Sequence, residues 1–213
     1  MDLIVYAHPD AHDSHNAAIK RHVEENLKGR GKEYETIDLY AEGFNPLLSA
    51  QAAIGKGEPD GLVEKYQGKI AKSERLIFIF PIWWYAPPAI LKGFFDRVFT
   101  AGFAYNFRKE PSMPKALLPL IKACASQKAC YGMFLKQLPV EQKLVGKSAV
   151  VINTFGGNDI GYEMFGSAPE YTVDKAVLNF CGVMDVKRVH WFEARGSVEI
   201  PIKVREEIDA ALA

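Results

Sequence analysis

Residues 8–16 carry His8, Asp10, His12, Asp13, Ser14, His15 and Asn16 in a polar stretch that runs straight into a segment of helical spacing. The first N–H groups of a helix lack intrahelical acceptors and sit at the positive end of its dipole, so this arrangement suits an anion, above all a phosphate. Asp10 and Asp13 count against a strong positive field, and binding here would rest on neutral donors and histidine. The plain alternative is that Ser14 or Asn16 only caps the helix. No cysteine or glutamate stands nearby to complete a tetrahedral set with the histidines, so no metal is expected. A second stretch, Pro81-Ile82-Trp83-Trp84-Tyr85, puts three consecutive aromatics after a continuously apolar run. Aromatic faces want a flat heterocycle or a packing partner, and at least one of the three must serve packing. A third, Asn153-Thr154-Phe155-Gly156-Gly157, ends in two glycines that let backbone approach a ligand closely, or that simply make a turn. Taken together, phosphate donors, a planar platform and a close-approach backbone match the parts of a flavin nucleotide. The G-x-G-x-x-G fingerprint is absent after the first strand, so a nicotinamide dinucleotide is not the resident cofactor.

These stretches need elements to hold them. Apolar runs predict strands at 3–7, 34–40, 76–80, 148–154 and 186–192, and helical spacing predicts helices at 16–27, 61–73, 89–100, 172–181 and 202–212. Pro87 and Pro88 fit the start of the third helix, where the missing N–H costs nothing. The run 76–80 is apolar without alternation, as in a parallel strand covered on both faces. Strands alternating with helices predict an α/β fold, a doubly wound five-stranded parallel sheet of order 2-1-3-4-5. Ligands bind such sheets beyond the carboxyl ends of the strands, where all three stretches fall. Residues 108–147 break the alternation and read as an insertion before strand four of a single domain spanning 1–213.

Composition sets the bounds. The chain has 213 residues, 48% hydrophobic and 24% charged, which is enough for one buried core and excludes a disordered class. Lys plus Arg and Asp plus Glu number 26 each, so no global field draws the chain to nucleic acid or an anionic membrane. No stretch approaches the roughly 20 apolar residues of a membrane span, and no leader pattern opens the chain, so a cytoplasmic protein is expected. Cys124, Cys130 and Cys181 are an odd number without metal-type spacing and read as reduced thiols, with Cys181 in the core.

The residues resemble those of the flavodoxin-like NAD(P)H quinone reductases, which include DT-diaphorase and bacterial flavin-dependent oxidoreductases. The resembling pieces are AHPDAHDSHNAAIK from Ala7, DLYAEGFNPLLS from Asp38, FPIWWYAPPAILKGFFDRVFTAGFAYNF from Phe80 and INTFGG from Ile152. They cover nearly the whole chain outside 108–147, and the third is the most specific. The resemblance implies that His8, Ser14, His15, Asn16 and Ala17 hold the flavin phosphate. It implies that Pro81, Ile82, Trp83 and Trp84 contact the isoalloxazine, and that Thr154, Phe155, Gly156 and Gly157 contact its pyrimidine side. Tyr162 falls where mammalian-type members carry an active-site tyrosine, but the position of its partner histidine holds Ala168. Tyr105 and Phe107 fall where the family lines the substrate pocket, from the neighbouring subunit of a homodimer. The implied activity is ping-pong hydride transfer from NAD(P)H through bound FMN or FAD to a quinone-like acceptor. The segment 49–60 is shorter than the one that helps hold adenine in mammalian-type members, which leaves FMN and FAD both open. The rival readings are a flavodoxin-type electron carrier and a regulatory ancillary subunit of a potassium efflux system. Carriers of that kind are usually strongly acidic, whereas this chain is neutral.

Overall fold

The computed structural model describes residues 1–54, 57, 60–108, 119, 140–164, 166 and 168–213. Strands β1 (Asp2–Tyr6), β3 (Arg75–Pro81) and β6 (Ser148–Thr154) are buried almost throughout, as unbroken apolar runs must be when both faces of a sheet are covered. With β2 (Tyr34–Asp38) and β7 (Asp185–Trp191) they form one parallel sheet of order β2-β1-β3-β6-β7. The expected five-stranded parallel sheet is therefore present, but the described residues form two more strands than expected. These are β4 (Tyr105–Phe107) and β5 (Val140–Gln142), an antiparallel pair apart from the main sheet, which makes the order 2-1-3-6-7 rather than 2-1-3-4-5.

Side-chain alternation divides the core between the two faces. On one face Leu3, Val5, Phe78, Phe80 and Val151 pack with helices α3 (Gly61–Lys72) and α4 (Ala89–Val98), through Tyr66, Ile70, Leu91 and Phe94. On the other, Ile4, Tyr6, Ile77, Ile79 and Ile152 pack with α1 (His15–Gly29) through Ile19, Val23 and Leu27. That second face is completed by the terminal helix Ile202–Leu212 through Ile208 and Leu212. Three short or irregular helices complete the elements among the described residues. They are α2 (Ala50–Ala53), α5 (Asp159–Met164) and α6 (Glu170–Asn179), and the last is wound with π-helical hydrogen bonds. The terminal helix is therefore α7.

Most of the expected insertion, with Cys124 and Cys130, lies outside the described residues. In its last part Val140 is buried, and just beyond that residue Leu144 is buried too, its N–H donating to the Cys181 carbonyl at 2.9 Å. Cys181 is a core residue whose thiol burial pushes up to about 12, out of reach of thiolate chemistry.

Candidate functional site

Parallel register brings the carboxyl ends of the strands level. Pro81 pairs with Thr154 and Thr154 with Trp191. The ladder then runs one step further, with Ile82 N–H on the Thr154 carbonyl at 2.9 Å and Phe155 N–H on the Trp191 carbonyl at 2.9 Å. The loops after β1, β3 and β6 consequently open onto one cleft of about 450 Å³, within the range of small-molecule sites.

From the first loop, His8, Ser14, His15 and Asn16 line it. Asp10 organises this loop: its Oδ1 accepts the N–H groups of His12 and Asp13, both at 2.9 Å, and those bonds hold its carboxyl below the ordinary range. Tyr6 and Ser14 hydroxyls both donate to the Asp10 carbonyl, at 2.9 and 2.7 Å. His8 Nδ1 lies 3.0 Å from the Asp10 N–H and 2.9 Å from the Asp10 carbonyl oxygen, so the ring is held over its own loop. His12 is exposed at the loop's rim.

Ser14 caps α1, its Oγ accepting the Ala17 N–H at 3.1 Å. The Ala17 N–H is engaged by that cap, and its side chain is buried. The His15 ring is also committed elsewhere, with Nε2 3.0 Å from the Ser197 carbonyl and its plane edge-on to Trp191. What remains for an anion is the main-chain N–H of His15 and of Asn16.

Asn16 is 2% exposed, and its Nδ2 donates to Thr154 Oγ1 at 2.8 Å, which ties the first loop to the third. Among the described residues its Oδ1, also buried, meets no donor. Such an acceptor is costly when left dry, and a hydroxyl donor from water or a ligand can satisfy it.

From the second loop, Pro81, Ile82, Trp83 and Trp84 line the cleft. Trp83 and Ala86 exchange two main-chain hydrogen bonds, at 3.0 and 3.1 Å, across a two-residue turn in which Trp84 and Tyr85 have φ of 52° and 56°. Turns with two left-handed residues are ordinarily built from Asn and Gly. This one holds the Trp84 ring 98% exposed and Trp83 44% exposed, so the aromatics do face outward beside the cleft. Tyr85 lies against α5, its hydroxyl 3.2 Å from where a side chain on Gly161 would begin.

From the third loop, Thr154, Phe155 and Gly156 line the cleft, while Gly157 stands just beyond it. Tyr162 does not reach the cleft lining. It is buried behind Phe155, ring edge to face at 5.2 Å, and its hydroxyl donates to Glu170 Oε1 at 2.9 Å. Beside it sits His190, with 4.9 Å between ring centroids, an aromatic neighbour that no sequence motif announces. Burial, aided by Arg188, holds the His190 imidazole down at about 4 against the ordinary 6.5.

Tyr105 and Phe107 lie on β4, away from this cleft. Tyr105 lines a second cavity of about 1300 Å³ with Phe99, Thr100 and Phe180, and the Phe107 ring is largely exposed. A fourth segment, the turn after β7, contributes Ala194 to the cleft and was not foreseen, because a lone alanine between charged residues carries no chemical signal.

Comparison with known proteins agrees with this architecture. Residues 3–213 match the family described as flavodoxin-like fold. Over 126 residues the chain is 38% identical to NAD(P)H dehydrogenase (quinone) 1 of Rattus norvegicus, a match covering 49% of this chain and 45% of that protein. The chain thus spans about half the length of that relative. It is 27% identical over 203 residues to an uncharacterized NAD(P)H oxidoreductase of Haemophilus influenzae, covering 93% of this chain and 84% of the relative. Among solved structures, Smu.1420 of Streptococcus mutans UA159 superposes with a TM-score of 0.70 at 31% identity, over 98% of this chain and 94% of that one. The NAD(P)H:quinone oxidoreductase of Methanothermobacter marburgensis gives 0.73 at 24% identity, over 99% and 92%, a likeness of fold.

Proposed function

The chain belongs to the flavodoxin-like fold family, and on that premise we propose that it is a flavin-dependent oxidoreductase, taking hydride from NAD(P)H and passing it to a quinone-like acceptor in two half-reactions at one site. The observation that carries this reading is the convergence of the three loops on one cleft. The His15 and Asn16 N–H groups suit the phosphate, the buried Asn16 Oδ1 suits a hydroxyl of the sugar-alcohol chain, and Trp83 and Trp84 suit the ring system. Named relatives support the same activity, one being a quinone-reducing NAD(P)H dehydrogenase and another an NAD(P)H oxidoreductase.

When bound, a flavin supplies the reversible two-electron chemistry, and the protein supplies position and electrostatics. Thr154 and Gly156 line the cleft and would offer main-chain groups to the edge of a bound ring, since glycine leaves no side chain in the way. The strained turn at Trp84 and Tyr85 keeps one wall open to solvent, where donor and acceptor enter in alternation. Tyr162 enters as a positioning residue that backs Phe155, not as a group in contact with the reacting atoms. Tyr105 and Phe107 reach a substrate only from the partner of a homodimer, which makes that assembly part of the proposal.

The test is steady-state oxidation of NADH and of NADPH with and without menadione. Acceptor-dependent turnover with parallel-line kinetics is the expected result. A protein that holds flavin yet turns over neither donor would instead be a carrier or an ancillary subunit.

A further inference from the structure

We propose that Arg195 is the phosphate-binding cation of this cleft, an inference that rests on the flavin reading above. The three loops legible in the sequence bring carboxylates at Asp10 and Asp13, and the His15 ring is already engaged with Ser197. No lysine or arginine lies in residues 8–16, 81–88 or 154–158, so a cation that adds to the neutral N–H donors must come from another segment.

The turn after β7 supplies one. Glu193 takes a left-handed conformation, φ 53°, and two main-chain bonds fasten the turn to the third loop: Glu193 N–H to the Gly157 carbonyl and Ala194 N–H to the Phe155 carbonyl, both 2.8 Å. Arg195 follows directly, and its Nε stands 4.0 Å from where a side chain on Gly156 would begin. Two residues on, the Ser197 carbonyl meets His15 Nε2 at 3.0 Å, in the first turn of α1. The Arg195 backbone is therefore pinned on one side to the third loop and on the other to the helix terminus that suits an anion.

Among the described residues the Arg195 guanidinium has no hydrogen-bond or ion-pair partner. Arg195 is exposed at the edge of the cleft, and its unpaired planar fork of donors matches the oxygen pair of an anion such as phosphate. The buried Asn16 Oδ1 lies in the same cleft and cannot serve an anion, but it accepts from the hydroxyl that a flavin nucleotide carries beside its phosphate. Helix terminus, hydroxyl acceptor and cation together describe one phosphorylated sugar alcohol.

The test is titration of flavin-stripped full-length protein with riboflavin, FMN and FAD, followed by fluorescence, for the wild type, Arg195→Gln and Arg195→Lys. Arg195→Gln is expected to weaken FMN and FAD by about tenfold or more, the scale of one charged hydrogen bond, and to change riboflavin by less than about twofold. It should also flatten the salt dependence of FMN binding, while Arg195→Lys recovers part of the loss. Equal weakening of all three ligands, or no weakening of any, overturns the assignment. A folded wild type that binds none of the three defeats the flavin reading itself, so the two failures are distinct.

Discussion

Trp84 and Tyr85 pay for their outward display with consecutive left-handed backbones, which cost on the order of 1–3 kcal/mol each in a bulky residue. Since the Trp84 ring is almost wholly exposed, its removal takes nothing from the core. Trp84→Gly should therefore leave stability unchanged or raise it by up to about 1 kcal/mol, while binding flavin at least about tenfold more weakly. Thermal denaturation and flavin titration of one preparation measure both. His190 offers a test in the opposite sense. Its ring nitrogens have no hydrogen-bond partner among the described residues, Glu170 Oε1 is 3.8 Å from Nε2, and the Arg188 charge opposes protonation. Because the folded value is about 4 against 6.5 in the free side chain, the unfolded chain takes up a proton first as pH falls. Stability is complete above about 6.5 and drains away between there and about 4, by about 3 kcal/mol at most. His190→Phe, set among Phe155, Tyr162 and Phe192, should flatten this slope in urea melts taken across that window. Residue types alone made the cleft lining legible, but not which atoms stay available. That Ser14 spends its hydroxyl on a cap and His15 its ring on Ser197 follows from contacts 3 and 182 residues apart.

At the scale of elements, the runs of β1, β3 and β6 were readable because burial on both faces demands unbroken apolar sequence. Strands β4 and β5, three residues each, carry no such period, and their partnership spans a long stretch of chain. The helix at 172–181 was placed near its observed span, but its π-helical winding depends on packing and not on propensity. The turn after β7, which holds Arg195, reads as an ordinary polar loop until the β6 loop is set beside it. Close packing of α4 gives this scale its prediction. A side chain on Gly93 would lie 2.3 Å from the Pro46 carbonyl oxygen, so the helix rests on the 45–46 backbone with no room to spare. Gly93→Ala should destabilise by about 1–3 kcal/mol despite its better helix propensity, and chemical denaturation would show it. An unchanged midpoint would mean the connection yields freely.

For the whole molecule, a parallel sheet with level carboxyl ends turns four loops distant in sequence into one wall each of a shared cleft. Register and topology, both legible in outline from the sequence, therefore explain why residues near 8, 82, 155 and 194 meet. The neutral charge balance leaves recognition to local groups, among them Arg195 beside Gly156 at the third loop's edge. The central claim is that this cleft holds a flavin. The visible absorption spectrum of the purified protein, followed by acid release and chromatography of whatever is bound, tests it directly. A yellow protein, or one turned yellow by added FMN or FAD at one equivalent per chain, is the result predicted. A folded, colourless protein that takes up neither nucleotide would contradict the account.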